Sequence, residues 1–433
     1  MTRAIMLRRL LAPLVTTLVL TSPGVTAEAR SAPGHRGPDR AENEIGNRPG
    51  NQAVDRRGPW TGTWEAAPSG TVPALPGASI RDVVHTSVGG RAARVRLSNR
   101  LGTRPLQLGS VTLALQRPGE PRSPRAVAGS MRTVTFAGAG SVTVPAGRDV
   151  VSDPVALPVP ADSNLLVSVH TPADSGPATY HRSALQANFV APRGDRTAEE
   201  SGAAYTTTVG DWYYVTGVDV LGPAAGSVVA LGDSITDGTG SSFDANHRWP
   251  DRLSARLRDL PAYRRPGVLN AGIAGNRVLL AGRGPSALTR LDTDVFSRAG
   301  VRTMIVLEGV NDLKGTPERR DPRALVNAYR LVVRRAHARG IRVIGATITP
   351  YGGHVAYTPA REAVRQAVNT AIRSRRIFDA VADFDATVRD PARPSRILPA
   401  YDPGDHLHFN DAGMRALADT IDLRSLLAKA PGR

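Results

Sequence analysis

The chain has 433 residues, 41% of them hydrophobic, and no cysteine, which excludes disulfides, thiolate metal sites and cysteine nucleophiles. Its formal net charge is +17, carried almost wholly by arginine, with Lys314 and Lys429 the only lysines. The arginines are scattered and not gathered into one stripe interleaved with aromatics, so the charge does not indicate a specific nucleic-acid surface.

The N-terminus reads as an export signal. Arg3, Arg8 and Arg9 precede an apolar run from Leu10 to Leu20, and Val25-Thr26-Ala27 fits a small-residue cleavage site near Ala27. That run is short for a bilayer span and no later one is as long, so the expectation is a secreted, extracellular protein without a transmembrane segment. Residues 28–57 are rich in Gly, Pro, Arg, Asn and Asp and lack apolar periodicity, as expected of a disordered linker.

From 58 to 223 the texture is all-β. Short Val- and Thr-rich runs alternate with turn residues, and no long amphipathic helix is visible. Arg81 to Val88 and Arg91 to Leu97 flank Gly89-Gly90, the pattern of a β-hairpin. Further strands are expected at Val111 to Leu115, Arg132 to Phe136, Ser141 to Val144, Asn164 to His170 and Trp212 to Leu221. So many short strands imply a β-sandwich accessory domain, with Trp60, Trp64 and Trp212 in its core.

From 224 to 430 strands and helices alternate. Strands are expected at Ser227 to Leu231, Gly267 to Leu269, Thr303 to Leu307, Ile341 to Ile348 and Phe378 to Phe384. Helices are expected at Trp249 to Leu260, Ser286 to Arg298, Pro322 to Arg339, Pro359 to Arg375 and Asp411 to Leu427. Asp321, Pro322 and Gly340 supply the capping chemistry for the third of these. The pattern is that of an α/β fold, a parallel sheet covered by helices on both faces, with its ligand beyond the carboxyl ends of the strands.

Three clusters fall at those ends. Ser234 follows the first strand in Gly232-Asp233-Ser234-Ile235, where a serine hydroxyl points into the crevice; an Asp-Ser helix cap is the plainer alternative. Asn311, in Gly309-Val310-Asn311-Asp312, offers a neutral amide donor to an oxyanion, with Asp312 placed to brace the loop. Gly275 lies after the second strand, where its unshielded N–H can donate to the same oxyanion. Asp405 and His408 precede the last helix, and a turn can fold the carboxylate onto the imidazole. His406 and His408 alternate, but metal ligation needs more partners, so His406 reads as structural and no metal is expected.

Taken together these residues resemble the SGNH/GDSL family of serine esterases and lipases. The matching positions are Ser234, Gly275, Asn311 and His408, with Asp405 as third triad member, over about Ser227 to Leu427. The resemblance implies a flavodoxin-like three-layer α/β fold and an oxyanion hole from the N–H groups of Ser234 and Gly275 plus the Asn311 amide. It also implies two-step ester hydrolysis without a cofactor. Upstream, Ser87-Val88-Gly89-Gly90, Arg96-Leu97-Ser98-Asn99, Gly102-Thr103-Arg104-Pro105-Leu106 and Ser183-Ala184-Leu185-Gln186 resemble the leading domain of a two-domain branch similar to xylan-associated carbohydrate esterases. Two positions depart from the pattern: Phe409 stands where such proteins usually have Pro, and Ile235 where the motif has Leu.

The expected substrate is therefore a short-chain acyl ester, chiefly acetyl, on an acylated glycan. Lipid esters are the alternative within the class. A metal-dependent phosphoesterase and a non-catalytic glycan-binding protein are the alternatives outside it.

Overall fold

The computed structural model describes residues 59–430; the export signal and the linker lie outside the described residues. Residues 59–223 are strand-rich, as the sequence predicts. A six-stranded sheet has Ala78–Thr86 and Ser163–Thr171 at its centre, and a four-stranded sheet has Val215–Leu221 and Ala92–Ser98 at its centre. Side chains alternate as pleating requires: Ile80 and Val84 enter the main core with Val95, Val167 and Val218, while Val83 enters a smaller cluster with Phe189. Trp64 and Trp212 meet edge to face at 5.0 Å and are buried, whereas Trp60 lies half-buried under the Arg94 guanidinium.

The expected hairpin at Gly89-Gly90 does not form. Ala78–Thr86 pairs with Ser163–Thr171 and Asn188–Ala191, and Ala92–Ser98 pairs with Val215–Leu221 and Asp149–Val151. The two glycines carry the chain from one sheet to the other. A Cβ on Gly89 would lie 2.5 Å from the Val159 carbonyl oxygen, and one on Gly90 would lie 2.7 Å from that of Leu221. They answer a demand for close backbone approach, not for a tight turn. The expected strand Trp212 to Leu221 is also two strands, Trp212–Tyr213 and Val215–Leu221, in different sheets, broken where Tyr214 takes φ +62°.

The second region contains a five-stranded sheet. Its strands are β1 (Ser227–Gly232), β2 (Gly267–Gly272), β3 (Val301–Leu307), β4 (Arg342–Ala346) and β5 (Ala380–Ala382). All pairings are parallel, in the spatial order β2-β1-β3-β4-β5. The helices are α1 (Ser234–Asp237), α2 (Trp249–Leu257), α3 (Ala287–Leu291), α4 (Val310–Lys314), α5 (Pro322–His337), α6 (Pro359–Arg373), α7 (Phe384–Val388), α8 (Asp411–Asp419) and α9 (Leu423–Leu427). Alternate strand residues feed two separate cores. Val229, Leu231, Met304 and Val306 pack with α5 and α6, and Val228, Ala230, Ile305 and Leu307 pack with α2 and α8. The chain order reverses beside β1, so the crevice between the ends of β1 and β3 is the switch point where such sheets bind ligands.

Caps set the helix limits. Asp321 accepts a hydrogen bond from the Arg323 N–H at the start of α5, Pro322 fills its first turn, and Gly340 follows its end at φ +68°. The expected helix Asp411 to Leu427 is two helices, because Asp422 accepts from the N–H groups of Arg424 and Ser425 and starts a new one. The expected helix Ser286 to Arg298 widens after α3 into a π-helical turn over Asp292–Phe296.

Both regions lie within one compact unit. Arg298 Nε donates to Glu65 Oε1 at 2.7 Å with both side chains buried, joining the strand Trp60–Glu65 to the segment before β3. Removing one partner of a buried pair strands the other, whereas replacing both with apolar groups does not. Arg298→Met should therefore lower the free energy of urea unfolding by about 3–5 kcal/mol, and Arg298→Met with Glu65→Leu should recover most of that loss. An undiminished loss in the double variant would show that the pair acts through something other than charge burial.

Candidate active site

Asp233 caps α1 by accepting the Ile235 N–H at 3.0 Å, so the helix cap expected as the plainer reading exists. The same cap makes Ser234 the first helical residue, at the mouth of the switch point and 7% exposed. Burial pushes the Asp233 carboxyl up to about 7, against the Ile235 hydrogen bond and the Lys314 charge.

Ser234 Oγ lies 2.8 Å from His408 Nε2, and His408 Nδ1 lies 2.5 Å from Asp405 Oδ2. The loop before α8 is folded around that carboxylate, since Asp405 Oδ1 accepts the backbone N–H groups of Leu407 and His408 at 3.0 and 2.9 Å. Partial burial works against the Asp405 charge, but these hydrogen bonds and the imidazole outweigh it and hold the carboxyl below its ordinary range. Phe409 buries its ring completely in the core beside Gly413, which anchors the loop. His406 takes φ +61° and pairs instead with Asp402 at 2.5 Å, so it stands outside the chain of bonds that reaches Ser234.

The other two expected residues sit on loops tied to one another. Asn311 Nδ2 donates to the Asn276 carbonyl at 2.9 Å, which leaves its second amide hydrogen unspent. Asp312 braces the second loop by accepting from the N–H groups of Val278 and Leu279 at 2.8 and 3.1 Å. Arg277 returns the tie, donating from Nε to the Asn311 carbonyl at 3.0 Å. Gly275 has φ +80°, and a Cβ there would meet the Arg283 stem at 2.8 Å. The backbone N–H groups of Ser234 and Gly275 make no hydrogen bond with any other described residue.

Several supporting residues carry no motif along the chain. Arg290, 2% exposed, donates to the carbonyls of Gly232 at 3.0 Å and Ala271 at 2.6 Å and to Asn276 Oδ1 at 3.0 Å. It thereby clamps the ends of β1 and β2 and the loop that carries Gly275. Its charge is met by Asp294 at 3.3 Å and Glu308 at 3.6 Å. Burial drives the Glu308 carboxyl well up, and the Asp233 charge adds to the rise. The available signal was a charged residue at a core-facing helical position, since Ala287, Arg290, Leu291 and Asp294 share one buried face.

His181 and Asp237 form a second support. His181 is buried, with Nδ1 2.6 Å from the Ala67 carbonyl and Nε2 3.0 Å from Asp237 Oδ1. Both partners are acceptors, so both ring nitrogens donate and the ring is an imidazolium. Asp237, the last residue of α1, uses Oδ2 to accept the Ala274 N–H at 2.8 Å. Burial opposes the charge on His181, but the Asp237 carboxylate and the two hydrogen bonds outweigh it and raise the imidazole above its ordinary value.

The fold and the site's chemistry define a class, that of the carboxylic ester hydrolases. Residues 230–416 match the model of the GDSL-like Lipase/Acylhydrolase family. Solved structures similar to this region include a carbohydrate acetylesterase family member from Sinorhizobium meliloti, at 17% identity and TM-score 0.38, covering 46% of this chain and 98% of that chain. Another is an acetyl xylan esterase, at 21% identity and TM-score 0.34, covering 45% and 96%. A third is an α/β hydrolase enzyme from the metagenome of Lake Arreo, Spain, at 21% identity and TM-score 0.35, covering 46% and 94%. No curated protein matches the chain.

Replacing Arg290 with Met keeps its length and removes its donors. Activity of Arg290→Met on p-nitrophenyl acetate should fall at least tenfold in kcat, while circular dichroism still reports folded protein; wild-type kcat would refute the clamp. The His181 ion pair predicts a pH dependence of stability. An imidazole raised in the folded state stabilises fully below its unfolded value near 6.5, and the contribution disappears as pH rises through the folded value. Wild-type unfolding free energy should therefore decline above about pH 6.5 more steeply than that of His181→Gln. Parallel curves would mean that His181 does not fold as a cation.

Proposed function

We propose that the protein is a secreted serine esterase that removes short acyl groups, chiefly acetyl, from carbohydrate. In this reading Ser234 Oγ attacks the ester carbonyl carbon as His408 Nε2 takes the hydroxyl proton. Asp405 holds the imidazole in the tautomer that accepts this proton and offsets the charge it gains. The carbonyl oxygen becomes an oxyanion held by the N–H groups of Ser234 and Gly275 and by the Asn311 amide. Collapse expels the sugar hydroxyl, which takes the proton from His408 and leaves an acyl-serine. Water, deprotonated by His408, then releases the acid and regenerates Ser234.

The observation that carries this reading is the unbroken line of contacts from Asp405 through His408 to Ser234 Oγ, at 2.5 and 2.8 Å. The unspent donors nearby support the oxyanion assignment. The glycan preference rests on the upstream resemblance and on the export signal. We read the sheet with its two packed faces as the three-layer flavodoxin-like arrangement, 224–430, and the strand-rich region, 58–223, as a β-sandwich domain.

Ser234→Ala should abolish release of p-nitrophenol from its acetate ester without loss of fold. Asn311→Ala removes one donor and should lower kcat by about 10²–10³ with little change in KM. Retention of wild-type turnover by Ser234→Ala would end the assignment.

A further inference from the structure

We propose that the cleft beside Gly275 is a subsite for a carboxylate-bearing sugar, so that the enzyme prefers acyl esters on glycans containing uronic acid. The proposal rests on the esterase reading above and specifies its substrate.

The cleft has a volume of about 210 Å³ and two walls. One is strand-rich: Ser69, Tyr180 and Arg182. The other belongs to the loop after β2, with Ala274 and Arg283. The first wall is stiff, because the Ser69 N–H donates to the Tyr180 carbonyl at 2.9 Å and the Arg182 N–H donates to Ser69 Oγ at 2.9 Å. Its distance from the reacting centre is fixed by His181, the residue between Tyr180 and Arg182. His181 bonds to Asp237 on α1, the helix that begins at Ser234, and Asp237 in turn holds the Ala274 N–H. The second wall is anchored to the same centre, since Asn276, the residue after Gly275, donates from Nδ2 to the Arg283 carbonyl at 2.8 Å.

The charge of this cleft is unbalanced. Neither the Arg182 nor the Arg283 guanidinium has a hydrogen bond or ion pair to a described residue. Arg290, Arg298, Arg100 and Arg365, by contrast, each meet at least one carboxylate. Two unneutralised guanidiniums lining a narrow cleft favour an anion, and a planar fork matches a carboxylate. An acetyl group is neutral and gives them nothing to bind, so their counterpart belongs to the alcohol side of the ester. The Tyr180 ring adds an apolar face of the kind a sugar's C–H surface covers.

Two arms test this, one without turnover and one with it. By calorimetry, Ser234→Ala should bind trigalacturonate at least tenfold more tightly than xylotriose. Adding Arg182→Ala and Arg283→Ala should erase that difference, and 0.5 M salt should weaken it, since screening length shrinks to a few ångströms at high salt. With otherwise native protein, the kcat/KM ratio for acetylated glucuronoxylan over an acetylated neutral glucomannan should exceed one and fall about tenfold in the double arginine variant. Equal binding of the two trisaccharides, or a preference that survives loss of both arginines, overturns the subsite. Selective binding with no turnover of any acetyl ester leaves the subsite standing and sinks the esterase reading instead.

Discussion

The structure turns on one buried cation. Arg290 sits where the ends of two strands and a loop are held together, adding to a ladder that still pairs Gly232 with Gly272 and to the Ile273 N–H that donates to the Gly232 carbonyl at 3.0 Å. Its guanidinium spans the carbonyls of Gly232 and Ala271 and the amide oxygen of Asn276. Two of those residues adjoin the candidate site: Gly232 precedes the cap of Ser234, and Asn276 follows Gly275. A planar group with five donors in fixed geometry suits the task, and a lysine could reach only part of it. The cation then requires Asp294 and Glu308 nearby, which explains the cluster of acidic groups beneath the crevice. Replacing Arg290 alone with an apolar residue would strand the buried carboxylate of Asp294 without one of its cations and so cost stability. It would also cost the relative placement of Ser234 and Gly275.

The same logic extends into the strand-rich region. Arg100 bonds to both Asp294 and Asp149, Arg298 bonds to Glu65, and His181 bonds to Asp237. In each pair one partner comes from residues 59–223 and the other from the second region, apart from Asp149, which closes the Arg100 link locally. Paired charges of this kind are directional, so they fix where one surface lies on the other more sharply than apolar contact alone. The strand-rich region is thereby held against the loop that bears Gly275 and is more than a remote accessory.

Much of this was legible along the chain. The alternation of apolar strands and capped helices gave the parallel sheet, because a strand buried on both faces must be continuously apolar and a covering helix must be amphipathic. Asp321, Pro322 and Gly340 act where their chemistry predicted. The failures were of another kind. Gly89-Gly90 read as a turn because a glycine pair serves turns and close contacts equally well, and only the partner strands distinguish them. Trp212 to Leu221 read as one strand because nothing local marks Tyr214 as left-handed. Asp422 is masked as a cap because the apolar pattern runs on past it.

The sequence by itself determined the order of elements and the short list of reactive side chains, since periodicity, caps and residue chemistry are local properties. Tertiary structure alone decided which of those side chains meet. Ser234 and His408 are 174 positions apart yet 2.8 Å apart in space. His406, two residues from His408, turns to Asp402 instead. It also decided the roles of Arg290, His181 and Asp237, because a buried charge reveals its purpose only through the partners that the fold brings to it.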